Sequence, residues 1–183
     1  MRTFIAIDLP GNIKEELAAL QGEMRRAGAD ISWTRPENIH LTLKFLGEID
    51  KKILGEIEQL SRACADRHEP FGLHLHGTGF FPNPRHPRVL WAGLAGAVEA
   101  VEQLQEEIDA AMEALGFERE EKDFRPHLTL GRIRSNKNIR ELQAIAESYS
   151  LPELSFEVGE VVIMKSDLHP QGASYSQLAT IKL

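Results

Sequence analysis

Apolar residues along the chain recur with two spacings, one typical of helices and one typical of strands. Four segments repeat them every three or four positions, which places the apolar side chains on one face of a helix. Two of these predicted helices follow Pro10-Gly11 and Asp50, and the other two contain residues 98–115 and 139–146. Shorter runs, rich in β-branched and aromatic residues and bounded by Gly and Pro, predict eight strands. These strands are residues 3–8, 31–33, 39–46, 71–80, 89–93, 127–133, 156–164 and 175–181.

One tetrapeptide, His-Leu-Thr-Leu, occurs twice, at residues 40–43 and 127–130, each time inside a predicted strand. Because side chains alternate along a strand, the His and Thr of each copy point to one face and the two leucines to the other. The shorter pattern His-x-Thr also occurs at residues 76–78, but Gly77 and Gly79 leave that copy without an apolar face. Two imidazoles that face each other can serve as the acid and the base of a reaction at a phosphate.

The length of 183 residues corresponds to a single domain or to two small, closely packed lobes. Each half of the chain pairs strands with two helices, and an Arg-Pro dipeptide precedes each copy of the tetrapeptide. The two copies differ in spacing, because His40 lies four residues after its proline and His127 only one. The pattern indicates an inexact internal duplication.

Charge, cysteine content and the N-terminal sequence narrow the class of protein. The net charge of −7 argues against extensive electrostatic binding of duplex DNA or long RNA. It is compatible with binding of one nucleotide or one chain end. Cys64 is the only cysteine, so an intramolecular disulfide is impossible and a zinc cluster is not expected. The N-terminal residues do not resemble a signal peptide, and no apolar run is long enough to span a membrane. We therefore expect a cytoplasmic protein with neither DNA nor a membrane as its partner.

Several stretches of this sequence, together with the paired tetrapeptide, resemble the two-histidine (2H) phosphoesterase superfamily. They are residues 35–47, 81–84 and 87–91. Within the superfamily the chain is similar to the bacterial and archaeal RNA 2′,3′-cyclic phosphodiesterases, historically called 2′-5′ RNA ligases. The resemblance runs nearly end to end, from residues 4–7 to residues 172–175.

The resemblance implies an α+β fold for a single domain of residues 1–183. Two pseudo-symmetric lobes would place antiparallel sheets on either side of a central cleft, with the helices outside. It further implies that the reaction needs no metal and no cofactor. Separately, we expect a monomer. The expected reaction opens a 2′,3′-cyclic phosphate at an RNA end to a 2′-phosphate, with reversible 2′-5′ ligation in some members. The expected partners are RNA ends or small nucleotides that carry such a phosphate.

The resemblance also assigns roles to the paired residues. His127 is expected to act as the base that activates water and His40 as the acid that protonates the departing 3′ oxygen, and the reverse assignment stays open. Thr42 and Thr129 are expected to donate hydrogen bonds to the non-bridging phosphate oxygens.

Phe45 and Arg132 each lie five residues after their histidine, and in the family these positions resemble a clamp on the terminal base. An odd offset would put both side chains on the leucine face of a regular strand. The assignment therefore requires a bulge or a strand end near Lys44 and near Gly131. Gly131 makes a bulge easy in the second strand, and nothing obvious does so in the first.

Two other functions remain open from the sequence: a cyclic phosphodiesterase of a small nucleotide, such as ADP-ribose cyclic phosphate, and a non-catalytic RNA-binding module. His74 and His76 alternate on one strand face, but no third ligand lies at useful spacing, so we interpret them as structural or solvent-exposed. The basic segment 85–88 is interpreted as a solvated turn and Tyr175 as a strand aromatic.

Overall fold

Nine antiparallel strands and four α-helices make up the fold, which the computed structural model describes over residues 1–183. The helices are α1 (Gly11–Arg25), α2 (Leu54–Ala65), α3 (Val98–Met112) and α4 (Ile139–Ser148). The strands are β1 (Arg2–Asp8), β2 (Ile31–Trp33), β3 (His40–Glu48), β4 (Phe71–Phe81), β5 (Val89–Gly96), β6 (His127–Ile133), β7 (Ser155–Val158), β8 (Glu160–His169) and β9 (Gly172–Lys182). The expected α+β class is confirmed. None of the four helices combines the length and the hydropathy that a membrane-spanning helix needs.

The strands form two sheets, and neither sheet corresponds to one half of the sequence. The first sheet has the order β3-β1-β8-β9, so the last two strands of the chain return to join the first. The second sheet has the order β2-β6-β5-β4-β7, and it therefore takes β2 from the N-terminal part. Both copies of His-Leu-Thr-Leu begin a strand, β3 in the first sheet and β6 in the second.

The predicted strand over residues 156–164 is wrong, because the structure divides it at Gly159. The part before this residue is β7, which pairs with β4 in the second sheet. The part after it is β8, which pairs with β1 in the first sheet. Buried residues occur on both sides of the break, so the apolar pattern alone gives no sign that the chain changes sheets.

The leucines of both tetrapeptides face the apolar core, as strand alternation predicts. Leu41, Leu43, Leu128 and Leu130 are all buried in one continuous cluster. Full burial of such a side chain contributes about 1.5–3 kcal/mol. Helices α2 and α3 pack beside the first sheet, while α1 and α4 contact each other beside the second. This packing fixes β3 and β6 from their apolar faces and leaves their His faces to the cleft.

Candidate active site

One cavity of about 300 Å³ brings together all six residues that the sequence analysis selected. They are His40, Thr42, Phe45, His127, Thr129 and Arg132. The first three come from β3 of the first sheet and the last three from β6 of the second. The cavity therefore lies between the sheets. Each sheet contributes one imidazole, one hydroxyl and the side chain five residues after its histidine.

Each histidine is oriented by the same hydrogen bond. His40 Nδ1 lies 2.7 Å from the carbonyl oxygen of Asn38, and His127 Nδ1 lies 2.7 Å from that of Arg125. A carbonyl oxygen only accepts hydrogen bonds, so Nδ1 carries the proton in both rings. Nε2 is therefore the nitrogen of each ring that can exchange a proton with a ligand.

Aromatic side chains enclose the two imidazoles to different extents. Phe4 stacks on His40 with ring centroids 4.6 Å apart, and Tyr175 meets the same ring edge-on at 5.3 Å. Phe81 meets His127 edge-on at 4.9 Å. Tyr175, which we had interpreted as an ordinary strand aromatic, lines the cavity. The result is a more enclosed environment for His40 than for His127.

This enclosure changes the acidity of His40. Burial lowers its pKa from the usual 6.5, although the hydrogen bond to the Asn38 carbonyl and the charge of Asp8 act in the opposite direction. Burial disfavours the charged imidazolium, so the neutral ring predominates at neutral pH. Its Nε2 then accepts a hydrogen bond from the Thr42 hydroxyl, at 2.9 Å.

Strand β3 contains a bulge at the position that the clamp assignment requires. Thr42 and Lys44 pair with consecutive residues of β1, which leaves Leu43 as the extra residue. Both Leu43 and Lys44 are buried, and Phe45 is turned to the His face with 43% of its surface exposed. The guanidinium of Arg2 lies 4.6 Å from the centre of the Phe45 ring.

Strand β6 contains the matching bulge. Thr129 and Gly131 pair with consecutive residues of β5, which leaves Leu130 as the extra residue. Both Leu130 and Gly131 are buried, and Arg132 is exposed toward the cavity. A Cβ atom at position 131 would lie 2.6 Å from the side chain of Ile31, so the bulge needs glycine here.

A buried glutamine supports each bulge, and sequence analysis missed both of them. Gln105 on α3 donates a hydrogen bond to the Leu43 carbonyl oxygen at 3.3 Å. Gln21 on α1 donates to the Leu130 carbonyl oxygen at 2.9 Å and to that of Thr34 at 2.7 Å. The exposed fractions of Gln21 and Gln105 are only 2% and 5%. The sequence signal for these contacts was a polar residue within the apolar face of each helix. A buried amide needs hydrogen-bond partners, so such a residue indicates a contact with polar backbone atoms.

The bulged Lys44 is held by a buried ion pair. Its ammonium contacts the Asp109 carboxylate of α3, and the two side chains are only 3% and 5% exposed. Burial raises the pKa of Asp109, but hydrogen bonds from Lys44 and from the Glu120 backbone N–H outweigh it and lower the pKa overall. Lys44 also donates to the carbonyl oxygen of Glu118. The ion pair thus connects β3 to the loop that precedes β6.

A second cavity of about 810 Å³ adjoins the first and shares Thr42, Phe45 and His127 with it. Its charged lining consists of the basic residues Arg88, Lys122 and Arg125 and the acidic residues Glu120, Glu121 and Asp123. The first of these belongs to the segment that we had interpreted as a solvated turn. The two cavities form one cleft with arms on both sides of the histidines.

His74 and His76 lie outside this cleft, and the structure corrects one expectation about them. The sequence offered no third ligand, but the carboxylate of Glu153 lies beside both rings.

Comparison with known proteins identifies relatives along the whole chain. The family described as LigT like phosphoesterase matches residues 7–91 and 94–175, one segment for each His-Leu-Thr-Leu. An RNA 2′,3′-cyclic phosphodiesterase of Methanothermobacter thermautotrophicus is 35% identical over 184 residues, which cover 100% of this chain and 99% of the relative. One from Thermotoga maritima is 34% identical over 179 residues, which cover 97% of this chain and 93% of that protein.

Solved structures agree with this relationship. The protein TT0787 of Thermus thermophilus matches with a TM-score of 0.82 and 30% identity, covering 100% of this chain and 98% of that one. E. coli LigT complexed with 3′-AMP matches with a TM-score of 0.79 and 25% identity, covering 100% and 97%.

Proposed function

The chain belongs to the LigT-like phosphoesterase family, and we propose that it hydrolyses the 2′,3′-cyclic phosphate at an RNA end to a 2′-phosphate. The observation that carries this proposal is the matched orientation of His40 and His127, whose Nδ1 atoms donate to equivalent carbonyl oxygens. Curated relatives named RNA 2′,3′-cyclic phosphodiesterase support the reaction. The LigT complex with 3′-AMP supports a nucleotide ligand.

Opening the ring requires a base and an acid on opposite sides of phosphorus. In our proposal His127 Nε2 takes a proton from the attacking water, and His40 Nε2 gives a proton to the departing 3′ oxygen. Burial lowers the pKa of His40, so in our proposal this ring takes up a proton from solution when the anionic phosphate binds. An anionic phosphate beside Nε2 raises the pKa of the imidazole because it stabilises the imidazolium.

The two threonines are proposed to stabilise the charge that develops on the non-bridging oxygens. Thr42 and Thr129 occupy matching places next to their histidines and line the same cavity. Removal of one well-placed donor of this kind costs about 3–4 kcal/mol of transition-state stabilisation. Hydroxyl donors and the imidazolium are proposed to suffice without a metal ion, since no carboxylate accompanies the two histidines in this cavity.

Phe45 and Arg132 are proposed to hold the terminal base between the ring and the guanidinium. The two bulges turn both side chains to the His face of the cleft. Stacking of a base on such groups contributes about 1–3 kcal/mol and tolerates any base. Arg2 now covers the Phe45 ring, so the base would displace that guanidinium.

The second arm of the cleft favours an RNA end over a small nucleotide. It begins at His127 and Thr42 and continues past the exposed Arg88 and Arg125. A terminal nucleoside in the first arm would leave Arg88 and Arg125 for the phosphate of the preceding nucleotide. Reversible joining of 2′-5′ linkages would use the same groups with the acid and base roles exchanged.

The proposal is tested with an RNA oligonucleotide that ends in a 2′,3′-cyclic phosphate, a 2′-5′-linked RNA and ADP-ribose cyclic phosphate. We expect a 2′-phosphate product, retained activity in EDTA and loss of at least about a hundredfold in His40→Ala and His127→Ala. His86→Ala, a histidine outside the cleft, is the matched control. Full activity in either active-site variant would refute the proposal. Binding of RNA without turnover by the wild type would indicate a non-catalytic RNA-binding module. Turnover of ADP-ribose cyclic phosphate alone would indicate a cyclic phosphodiesterase of a small nucleotide.

A substrate with sulfur in place of the 3′ bridging oxygen tests which histidine is the acid. A thiolate leaves without protonation far more readily than an alkoxide. We therefore expect the sulfur substrate to restore activity to His40→Ala but not to His127→Ala. Restoration in His127→Ala alone would exchange the two roles.

A further inference from the structure

Two histidines and a glutamate meet outside the cleft, at the edge of the second sheet. His74 and His76 lie on β4, two residues apart, and therefore on one face of the strand. Their rings are nearly perpendicular, at 87°, with centroids 6.4 Å apart. Glu153 precedes β7, and donor atoms of all three side chains lie within 4.8 Å of one another. The glutamate is far from both histidines in sequence, which is why spacing alone did not reveal the cluster.

The backbone around His76 is shaped by glycines and a bulge. Residues 75 and 78 of β4 pair with residues 94 and 92 of β5, so His76 and Gly77 together oppose the single residue Gly93. Gly77 adopts a positive φ of 68°. A Cβ atom on Gly93 would lie 2.3 Å from the carbonyl oxygen of His76, so this close approach requires glycine. The result is a fixed position for the His76 backbone.

Backbone hydrogen bonds place Glu153 beside this bulge. The N–H of Leu75 donates to the carbonyl oxygen of Leu154 at 3.1 Å, and the N–H of Leu154 donates to that of Pro152 at 2.8 Å. None of the side chains of His74, His76 and Glu153 takes part in a hydrogen bond or an ion pair. His76 and Glu153 are exposed and His74 is half-buried, so all three are free to accept a ligand.

We propose that His74, His76 and Glu153 bind one late first-row transition-metal dication, of which Zn²⁺ is the representative. Two imidazoles and one carboxylate are typical ligands of Zn²⁺, whereas Mg²⁺ and Ca²⁺ prefer oxygen donors alone. Bonds of about 2.1 Å in a tetrahedral site require donor atoms about 3.4 Å apart. Small rotations of exposed side chains close the remaining distance. A fourth position stays open for water or for an anion.

The proposed ion is separate from the reaction centre. Gly93, against which His76 lies, pairs with His127 on the next strand. Two strand spacings, roughly 10 Å, therefore separate the backbone of His76 from that of His127. The ion would instead tie the segment before β7 to the bulge of β4 and so stabilise the short edge strand. Zn²⁺ should then raise the unfolding temperature of the protein.

The test is titration of the metal-free protein with Zn²⁺ alone, followed by calorimetry, with Cu²⁺ and electron paramagnetic resonance as an independent readout. We expect one ion per chain and nitrogen couplings from two imidazoles. His76→Ala and Glu153→Gln should each weaken binding by at least about tenfold. His86→Ala, which removes a histidine from an exposed turn, is the matched control and should bind as the wild type does.

A double variant, His40→Ala with His127→Ala, separates this cluster from the active site, which also contains two imidazoles. It should bind one Zn²⁺ with unchanged affinity. Loss of binding in the double variant, or wild-type binding in both His76→Ala and Glu153→Gln, would overturn the proposal. Neither result depends on whether the protein hydrolyses a cyclic phosphate.

Discussion

His40 and His127 have the same hydrogen bond and different surroundings. Each donates Nδ1–H to a carbonyl oxygen two residues before it, so the Nε2 atoms are chemically equivalent in the isolated strands. Phe4 and Tyr175 then enclose the first ring on two sides, and one aromatic ring, that of Phe81, packs against the second. The two rings thus share one hydrogen-bond pattern but lie in different environments, and burial lowers the pKa of His40.

The lowered pKa of His40 makes stability depend on pH in a defined window. An unfolded histidine titrates near 6.5, so between this value and the lower pKa of the folded state only the unfolded chain takes up the proton. Stability from this residue is therefore complete above about pH 6.5 and decreases as the pH falls toward the folded pKa. Urea unfolding at several pH values should show a smaller loss from about pH 7.5 to about pH 5 in His40→Gln than in the wild type.

His86→Ala is the control for this measurement because it changes an exposed histidine. Its pH dependence should follow that of the wild type. Glu107 and Asp109, whose pKa values are also lowered, act in a more acidic window because their ordinary values are 4.5 and 3.8. An unchanged slope in His40→Gln would contradict the assigned direction.

At the scale of the strand, the two bulges were predictable from the sequence, but the side-chain contacts that stabilise them were not. The odd offset from His40 to Phe45 and from His127 to Arg132 required a break in alternation, and both breaks are present. Gly131 marked the second position. The first is stabilised by contacts of Lys44 with α3, which come from a distant part of the chain and leave no local signal.

The glutamines beneath the bulges are expected to control substrate binding more than the chemical step. Gln105→Met keeps the length of the side chain but leaves the Leu43 carbonyl without its amide donor, which costs about 1–3 kcal/mol of stability. Phe45 then loses its fixed place, so KM for the RNA should rise more than kcat falls. Steady-state kinetics check this split. Gln103→Met, an exposed change on the same helix, should leave both constants unchanged.

The Lys44–Asp109 pair makes a separate prediction for strand β3. Lys44→Met leaves the Asp109 carboxylate buried with only Arg119 and a backbone N–H nearby, so the free energy of unfolding should fall by about 3–5 kcal/mol. Adding Asp109→Leu removes the unpaired charge and should recover much of the loss. Denaturant unfolding of the single and double variants measures both effects. Equal destabilisation in the two would show that the carboxylate charge is not the cause.

At the scale of the whole molecule, the sequence predicted the elements better than their partners. The family match falls in two segments, and each contains one tetrapeptide. The sheets nevertheless take strands from both ends of the chain, and β7 and β8 separate at a single glycine. Local apolar patterns specify whether a residue is buried, but not which sheet buries it. Pairing between distant strands is a property of the complete fold.

This exchange of elements predicts a single cooperative unfolding transition. Helix α1, from the N-terminal part, supports the bulge of β6, while α3, from the later part, supports that of β3. Buried residues of both sheets also belong to one continuous apolar cluster, which includes Ile5 of β1 and Leu73 of β4, so unfolding of either sheet exposes apolar residues of the other. Both tryptophans, Trp33 and Trp91, lie in the second sheet, so their fluorescence reports on that sheet alone.

We expect this fluorescence and far-ultraviolet circular dichroism to give coincident denaturation curves. Lys44→Met, which acts on the first sheet, should then shift the fluorescence midpoint of the second sheet as much as the circular dichroism midpoint. A fluorescence midpoint that stayed at its wild-type value would indicate two lobes that unfold independently. The coupling matters for the proposed reaction, because the two imidazoles belong to different sheets and face one phosphate only while both sheets are intact.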